Sequence, residues 1–108
     1  MTGVQTCALP ISADPAKPKL SKTIDTFVQD SGGVVGPHTF YPLPGRMLIT
    51  GLSNDKDHGG KTGVVEYSNE GKYVQTIWMP ENAGYGYDVR VQPHLNRMLT
   101  SSFTGWNN

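Results

Sequence analysis

The side chains able to do chemistry are few and lie far apart along the chain. Three histidines and one cysteine are present. His38 opens the β-prone run His38-Thr39-Phe40-Tyr41, and an imidazole on a strand is a candidate metal ligand. The plainer reading is a histidine hydrogen-bonded to a neighbour. Tyr41, at the end of that run, either bonds to water at a site or packs as an aromatic. Asp88 stands between Tyr87 and Val89, and a carboxylate in a strand needs a partner or water. It either orients an imidazole from behind or binds backbone amides. Asp55, Asp57 and His58 cluster in one polar stretch. Their spacing lacks the further oxygen ligands and closing Glu of a calcium loop, so a solvated hairpin loop is the expectation. His94, beside Pro93, reads as a turn residue.

Several chemistries drop out. There is no Gly-x-Ser-x-Gly, no phosphate-binding Walker loop and no Cys/His zinc spacing, so acyl transfer, nucleotide binding and zinc fingers find no support. Cys7 is the only cysteine, which rules out a disulfide within the chain. Nine Lys+Arg balance nine Asp+Glu, unlike a nucleic-acid binder. No apolar run reaches the roughly 20 residues of a membrane span. The chain reads as soluble, in the periplasm or the cytoplasm.

The elements that must hold these residues are strands. Thirteen Gly and eight Pro punctuate the chain with turns, and no stretch shows a 3.6-residue period, so no helix is expected. Thr2 to Ile11 matches the in-frame translation of a sequencing-library adapter, and residues 1–11 are set aside as non-native. Residues 12–36 are expected to form a Pro-spaced linker, an outer strand over Leu20–Val28, and a loop holding Gly32-Gly33. From residue 37 the pattern is regular: His38–Tyr41, Arg46–Leu52, Thr62–Ser68, Lys72–Met79, Tyr87–Val91 and Arg97–Phe103 read as strands. Arg46–Leu52 is apolar enough to be buried on both faces. Trp78 and Trp106 are expected to pack between blades.

An internal repeat organises these strands. Pro42-Leu43-Pro44-Gly45-Arg46-Met47-Leu48 is echoed by Pro93-His94-Leu95-Asn96-Arg97-Met98-Leu99, with Gly45 replaced by Asn96, and both suit a turn. Thr50 and Ser101 follow at nearly the same offset. A period of roughly 50 residues is that of four-stranded propeller blades. The expected fold is all-β: one blade over residues 37–80, a truncated second over 81–108, and the outer strand of a preceding blade before them.

The motifs in this frame resemble one family. Gly86-Tyr87-Asp88, then Gln92-Pro93 and Asn96-x-Met98, are similar to the Gly-Tyr-Asp…Gln-Pro…Asn-x-Met stretch of the selenium-binding proteins, which include bacterial methanethiol oxidases. Pro37-His38-Thr39 resembles that family's Pro-His-Thr segment, and Pro18-Lys19-Leu20-Ser21-Lys22-Thr23-Ile24 its Pro-Lys-Leu-x-Lys-x-Ile. Gly59-Gly60-Lys61-Thr62-Gly63 falls where the family has a Gly-rich hairpin.

The resemblance implies that this chain is a fragment of a longer seven-bladed propeller. It also implies copper-dependent oxidation of methanethiol to formaldehyde, hydrogen sulfide and hydrogen peroxide. His38 would then line the central channel as a copper ligand, with Asp88 and Tyr41 beside it, and the partners would be the remaining blades and a small thiol. One departure is plain: the family's segment reads Pro-His-Thr-x-His-Cys, whereas Tyr41-Pro42 follows Phe40 here. The selenium-linked cysteine of some members lies outside the stretch covered. The fragment alone is expected to be inactive. The competing reading is a non-catalytic propeller that binds a protein or small molecule.

Overall fold

The computed structural model describes residues 7–11 and 16–105. Most of the segment set aside as non-native, much of the Pro-spaced linker and Trp106 lie outside the described residues. The described part is all-β, in antiparallel sheets of two, four and two strands. Strand β1 (Cys7–Ile11) pairs with β2 (Lys19–Ile24). A short helix, α1 (Phe27–Ser31), leads into the main sheet. That sheet runs in chain order through β3 (Val34–Leu43), β4 (Arg46–Asn54), β5 (Gly63–Ser68) and β6 (Tyr73–Trp78). Such a four-stranded meander is the form of one propeller blade. Strands β7 (Asp88–Gln92) and β8 (Arg97–Ser101) form the start of a second unit.

Burial follows the strand period of two. On β4, Ile49 belongs to one apolar cluster with Ile24, Phe27, Val34, Val65 and Tyr67. Its neighbour Leu48 points the other way, into a cluster with Val64 and Val89. The main sheet is therefore covered on one face by β2 and α1, and on the other by β7 and β8. This explains the continuous apolar run of β4: a strand with two covered faces has no polar side to alternate with. The expectation that Arg46–Leu52 is buried on both faces holds over its Leu48–Gly51 centre.

The two turns of the repeat also behave alike. Gly45 and Asn96 both take positive φ, 78° and 50°, a conformation open to glycine and next most often to asparagine. The equivalence of Pro42 with Pro93 does not survive. Pro42 sits in β3 opposite Met47, whereas Pro93 opens a 3₁₀ turn beyond the end of β7. The first hairpin closes over Pro44-Gly45 and the second over Pro93–Asn96. Strand β8 thus keeps the repeat's register with β4, and β7 is displaced by the longer turn.

Two further expectations are corrected. Leu20–Val28 is not one strand: β2 stops at Ile24 and α1 begins at Phe27. Phe27 is fully buried and stacks on Tyr67, while the Thr26 hydroxyl and Tyr67 phenol both donate to Asp30 at 2.8 and 3.0 Å. A helix of little more than one turn is too short to show a period, and tertiary contacts hold it. The loop expected over residues 30–36 is largely the end of α1 and the start of β3. Trp78, 44% exposed, carries the Lys61 ammonium over its ring at 5.6 Å and belongs to neither apolar cluster of the described residues.

Candidate functional site

The site grows from an irregularity in β3. Pro37 pairs with Gly51 and Phe40 with Ile49, so His38 and Thr39 together face the single residue Thr50. This is a β-bulge, and it leaves the bulged backbone without a ladder partner. The Thr50 side chain makes good the deficit: the Thr39 amide donates to Thr50 Oγ1 at 2.9 Å. Thr50 is buried, and its hydroxyl in turn donates to the carbonyl of Tyr87 at 3.0 Å.

That carbonyl is where the two halves of the repeat meet. His38 Nδ1 lies 3.0 Å from it, across 49 positions of sequence. A carbonyl oxygen only accepts, so Nδ1 carries the proton and the neutral ring keeps its lone pair on Nε2. The Tyr87 ring lies against the imidazole with centroids 4.4 Å apart. The Tyr87 amide donates to Ser101 at 2.9 Å, and the Gly86 amide donates to Leu52 at 3.2 Å. Gly86 must be glycine for a simple reason: a Cβ there would collide with the Gly51 carbonyl oxygen. The Gly86-Tyr87-Asp88 and Pro37-His38-Thr39 motifs, far apart in sequence, are thus one contact in space.

Asp88 is half-buried beside this contact. Its Oδ1 accepts from the Val89 amide at 2.8 Å and from the Arg90 guanidinium at 2.6 Å. The bond from the Val89 amide holds its carboxyl below the usual carboxylate range; burial opposes it, and the Thr39 hydroxyl and Arg90 add smaller lowering effects. Its partners are therefore an amide, a hydroxyl and a guanidinium rather than an imidazole. Tyr41 lies on the face toward β7, packed against Leu48, Val64 and Val89, and its hydroxyl donates to the Val91 carbonyl at 3.3 Å.

The remaining candidates stay apart from this contact. Asp57 caps its own loop by accepting from the Gly59 amide at 2.7 Å, and Asn54 Oδ1 takes the Lys56 and Asp57 amides. Asp55 and His58 are exposed in the same loop, and His94 is exposed in the 3₁₀ turn. Among the described residues no group of three His, Cys, Asp or Glu side chains is placed to hold a metal. What the segment offers is one imidazole with a fixed tautomer, in the arrangement that metal-binding histidines use. It fits a metal as a single donor, not as a complete ligand set. Sequence reasoning had singled out His38, Tyr41 and Asp88. It missed Thr50 and the Tyr87 carbonyl, which do the positioning, although the match of Thr50 with Ser101 in the repeat was a usable signal.

Comparison with known proteins agrees with the motifs. The chain is 60% identical over 112 aligned residues to a methanethiol oxidase of Ruegeria pomeroyi, covering 91% of this chain and 26% of that protein. It is 59% identical over 98 residues to a methanethiol oxidase of Hyphomicrobium, covering 88% of this chain and 22% of that protein. A methanethiol oxidase of Xenopus laevis is 32% identical over 97 residues, 86% of this chain and 20% of its own length. No family model matches, and no solved structure matches. The chain is related by sequence to the selenium-binding protein and methanethiol oxidase family, and it spans about a quarter of the length of the curated relatives it matches.

Proposed function

We propose that this chain is part of a propeller that oxidises a small thiol, methanethiol above all, and that it supplies one wall of the metal-bearing channel. The observation that carries the reading is the 60% identity to a methanethiol oxidase over 91% of the chain. The contact between its two motifs supports it, since that contact holds an imidazole in the form a metal requires. When bound, copper supplies the one-electron chemistry between thiol and dioxygen. The proposed overall reaction takes methanethiol, dioxygen and water to formaldehyde, hydrogen sulfide and hydrogen peroxide, which balances in atoms and electrons.

The chain's own residues have narrower tasks. His38 presents Nε2 as a single donor, and further donors come from other parts of the longer protein. Asp88 stays ionised beside Thr39 and keeps negative charge near the inner strands. Tyr41, where the resemblance leads one to look for a second imidazole, packs and bonds to backbone. The segment by itself is inactive, because blades bury their faces against one another and a few repeats are needed for a stable stack.

A chimera tests this. The segment replaces its counterpart in the Ruegeria pomeroyi relative, and copper content and peroxide release from methanethiol are measured. Retained activity, lost together with copper in His38→Ala, is the expected result. A folded chimera that holds no copper and leaves methanethiol untouched overturns the oxidase reading in favour of a non-catalytic binding propeller.

A further inference from the structure

We infer that Tyr87 is the positioning residue for His38: one repeat supplies the imidazole, and the next supplies both the acceptor that sets its tautomer and the ring that covers its face. The purpose assigned to that tautomer rests on the reading of His38 as a metal donor. The positioning itself does not.

The argument starts from register. Phe40 opposes Ile49 in β4, and Val89 opposes Thr100 in β8. One step back, the bulge sets His38 and Thr39 against the single residue Thr50, where the next repeat has Asp88 alone against Ser101. His38 therefore lies beside the place of Asp88 and touches its neighbour Tyr87. At 3.0 Å the contact from Nδ1 to the Tyr87 oxygen is an ordinary N–H···O bond. The second lone pair of that oxygen is taken by the buried Thr50 hydroxyl, so the acceptor is held from β4 as well as from β7. The ring is also supported from behind, since Phe103 lies 6.0 Å from Tyr87 and 5.1 Å from Tyr85.

Three constraints thus act on one exposed imidazole. The carbonyl selects the Nδ1–H tautomer, the Tyr87 ring restricts rotation about χ2, and the bulge sets where the side chain starts. None of them touches Nε2, and among the described contacts of His38 only Nδ1 is engaged. Free neutral imidazole has a choice of tautomers, so this arrangement removes an ordering cost that metal binding would otherwise carry. Partners of this kind are worth on the order of 10–100-fold in metal affinity.

The test uses the full-length chimera, metal-free, with ¹⁵N-labelled histidine, compared with Tyr87→Phe and Tyr87→Ala. Long-range ¹H–¹⁵N spectra at a pH where the ring is neutral report the tautomer, and competition titration reports Cu(II) affinity. In the starting protein and in Tyr87→Phe, which keeps ring and carbonyl, His38 should show the Nδ1–H pattern and equal affinity. Tyr87→Ala keeps the carbonyl and removes only the ring that restrains χ2, so the imidazole can rotate off the carbonyl; the pattern should become mixed, and affinity should fall about 10-fold. If Tyr87→Ala fails to fold, Tyr87→Leu decides, because it keeps bulk and loses the aromatic face. Unchanged tautomer and affinity in the folded variant overturn the inference. Should His38→Ala leave copper affinity untouched while Tyr87→Ala still mixes the tautomers, the metal reading fails and the positioning stands.

Discussion

Two hairpins of this protein share a sequence pattern and end in different situations. The β3–β4 hairpin turns on Pro44-Gly45, continues into β5 and β6, and is covered on both faces. The β7–β8 hairpin turns on a longer 3₁₀ segment, has no third strand among the described residues, and covers its neighbour with one face only. Val89 is fully buried on that face, whereas Leu99 is 64% exposed. The irregular strand is β3, the edge of its sheet with β4 as its one strand partner, where bulges are most often found. A bulge forfeits ladder bonds, and the buried Thr50 hydroxyl of β4 takes up the amide left over. Strand β7 is regularly paired along its length, and Tyr87, the residue just before it, contributes a carbonyl and a ring instead.

The largest way to test the comparison is to remove equivalent bulk from each hairpin in the chimera. Ile49→Ala on β4 should cost about 2–5 kcal/mol in urea denaturation, because it leaves a cavity in a closed cluster. Leu99→Ala on β8 should cost under ~0.5 kcal/mol if its face is open. A large effect at Leu99 would mean that a further element covers β8, and the contrast would be lost.

A smaller effect separates the two hydroxyls of the repeat. Thr50→Val leaves the Thr39 amide without its acceptor and should cost about 1–3 kcal/mol. Ser101→Ala, at the exposed equivalent position, should be close to neutral. Equal losses at the two sites would show that the bulge does not depend on the Thr50 side chain.

The smallest effect is present at neutral pH and fades in acid. The Val89 amide, with Thr39 and Arg90, lowers the native Asp88 pKa below its ordinary value of 3.8, so below that value the unfolded chain binds the proton more readily than the native one. Stability from this group is complete above the ordinary value and is lost as pH falls through the lowered one. Asp88→Asn should therefore lower the denaturation midpoint slightly at pH 7, and by less than Asp88→Ala, which also loses the contact to the Val89 amide. It should flatten the decline of stability at the acid end. A decline of unchanged steepness would show that Asp88 is not a contributor.

Much of this was legible in the chain. The strands from residue 37 onward appeared within a few positions of where they lie, because their turns are marked by glycine, proline and asparagine and their runs are β-branched or aromatic. The bulge was not legible, since His38-Thr39-Phe40-Tyr41 reads as an unbroken strand. Helix α1 was hidden because Phe27 and Val28 continue an apolar pattern that also suits a strand, and what decides is the stacking of Phe27 on Tyr67. The repeat was found through Arg46-Met47-Leu48 and Arg97-Met98-Leu99, which are equivalent. It was misaligned at the prolines, because matching residues do not reveal that one turn is longer.

The amino-acid sequence by itself determined the all-β class, the roughly 50-residue period, the family resemblance and the identity of the residues with chemical reach. Each follows from local preferences or from motifs that a single strand contains. Only the tertiary structure decided which of those residues act together. The His38 tautomer depends on a carbonyl 49 positions away, the bulge depends on a hydroxyl from the adjacent strand, and Asp88 proved to be tied to Val89, Arg90 and Thr39. Backbone carbonyls are the same at every position and leave no mark in a sequence. Which carbonyl meets which imidazole is set by the docking of β7 against β3 and β4, through the close approach of Gly86 to Gly51.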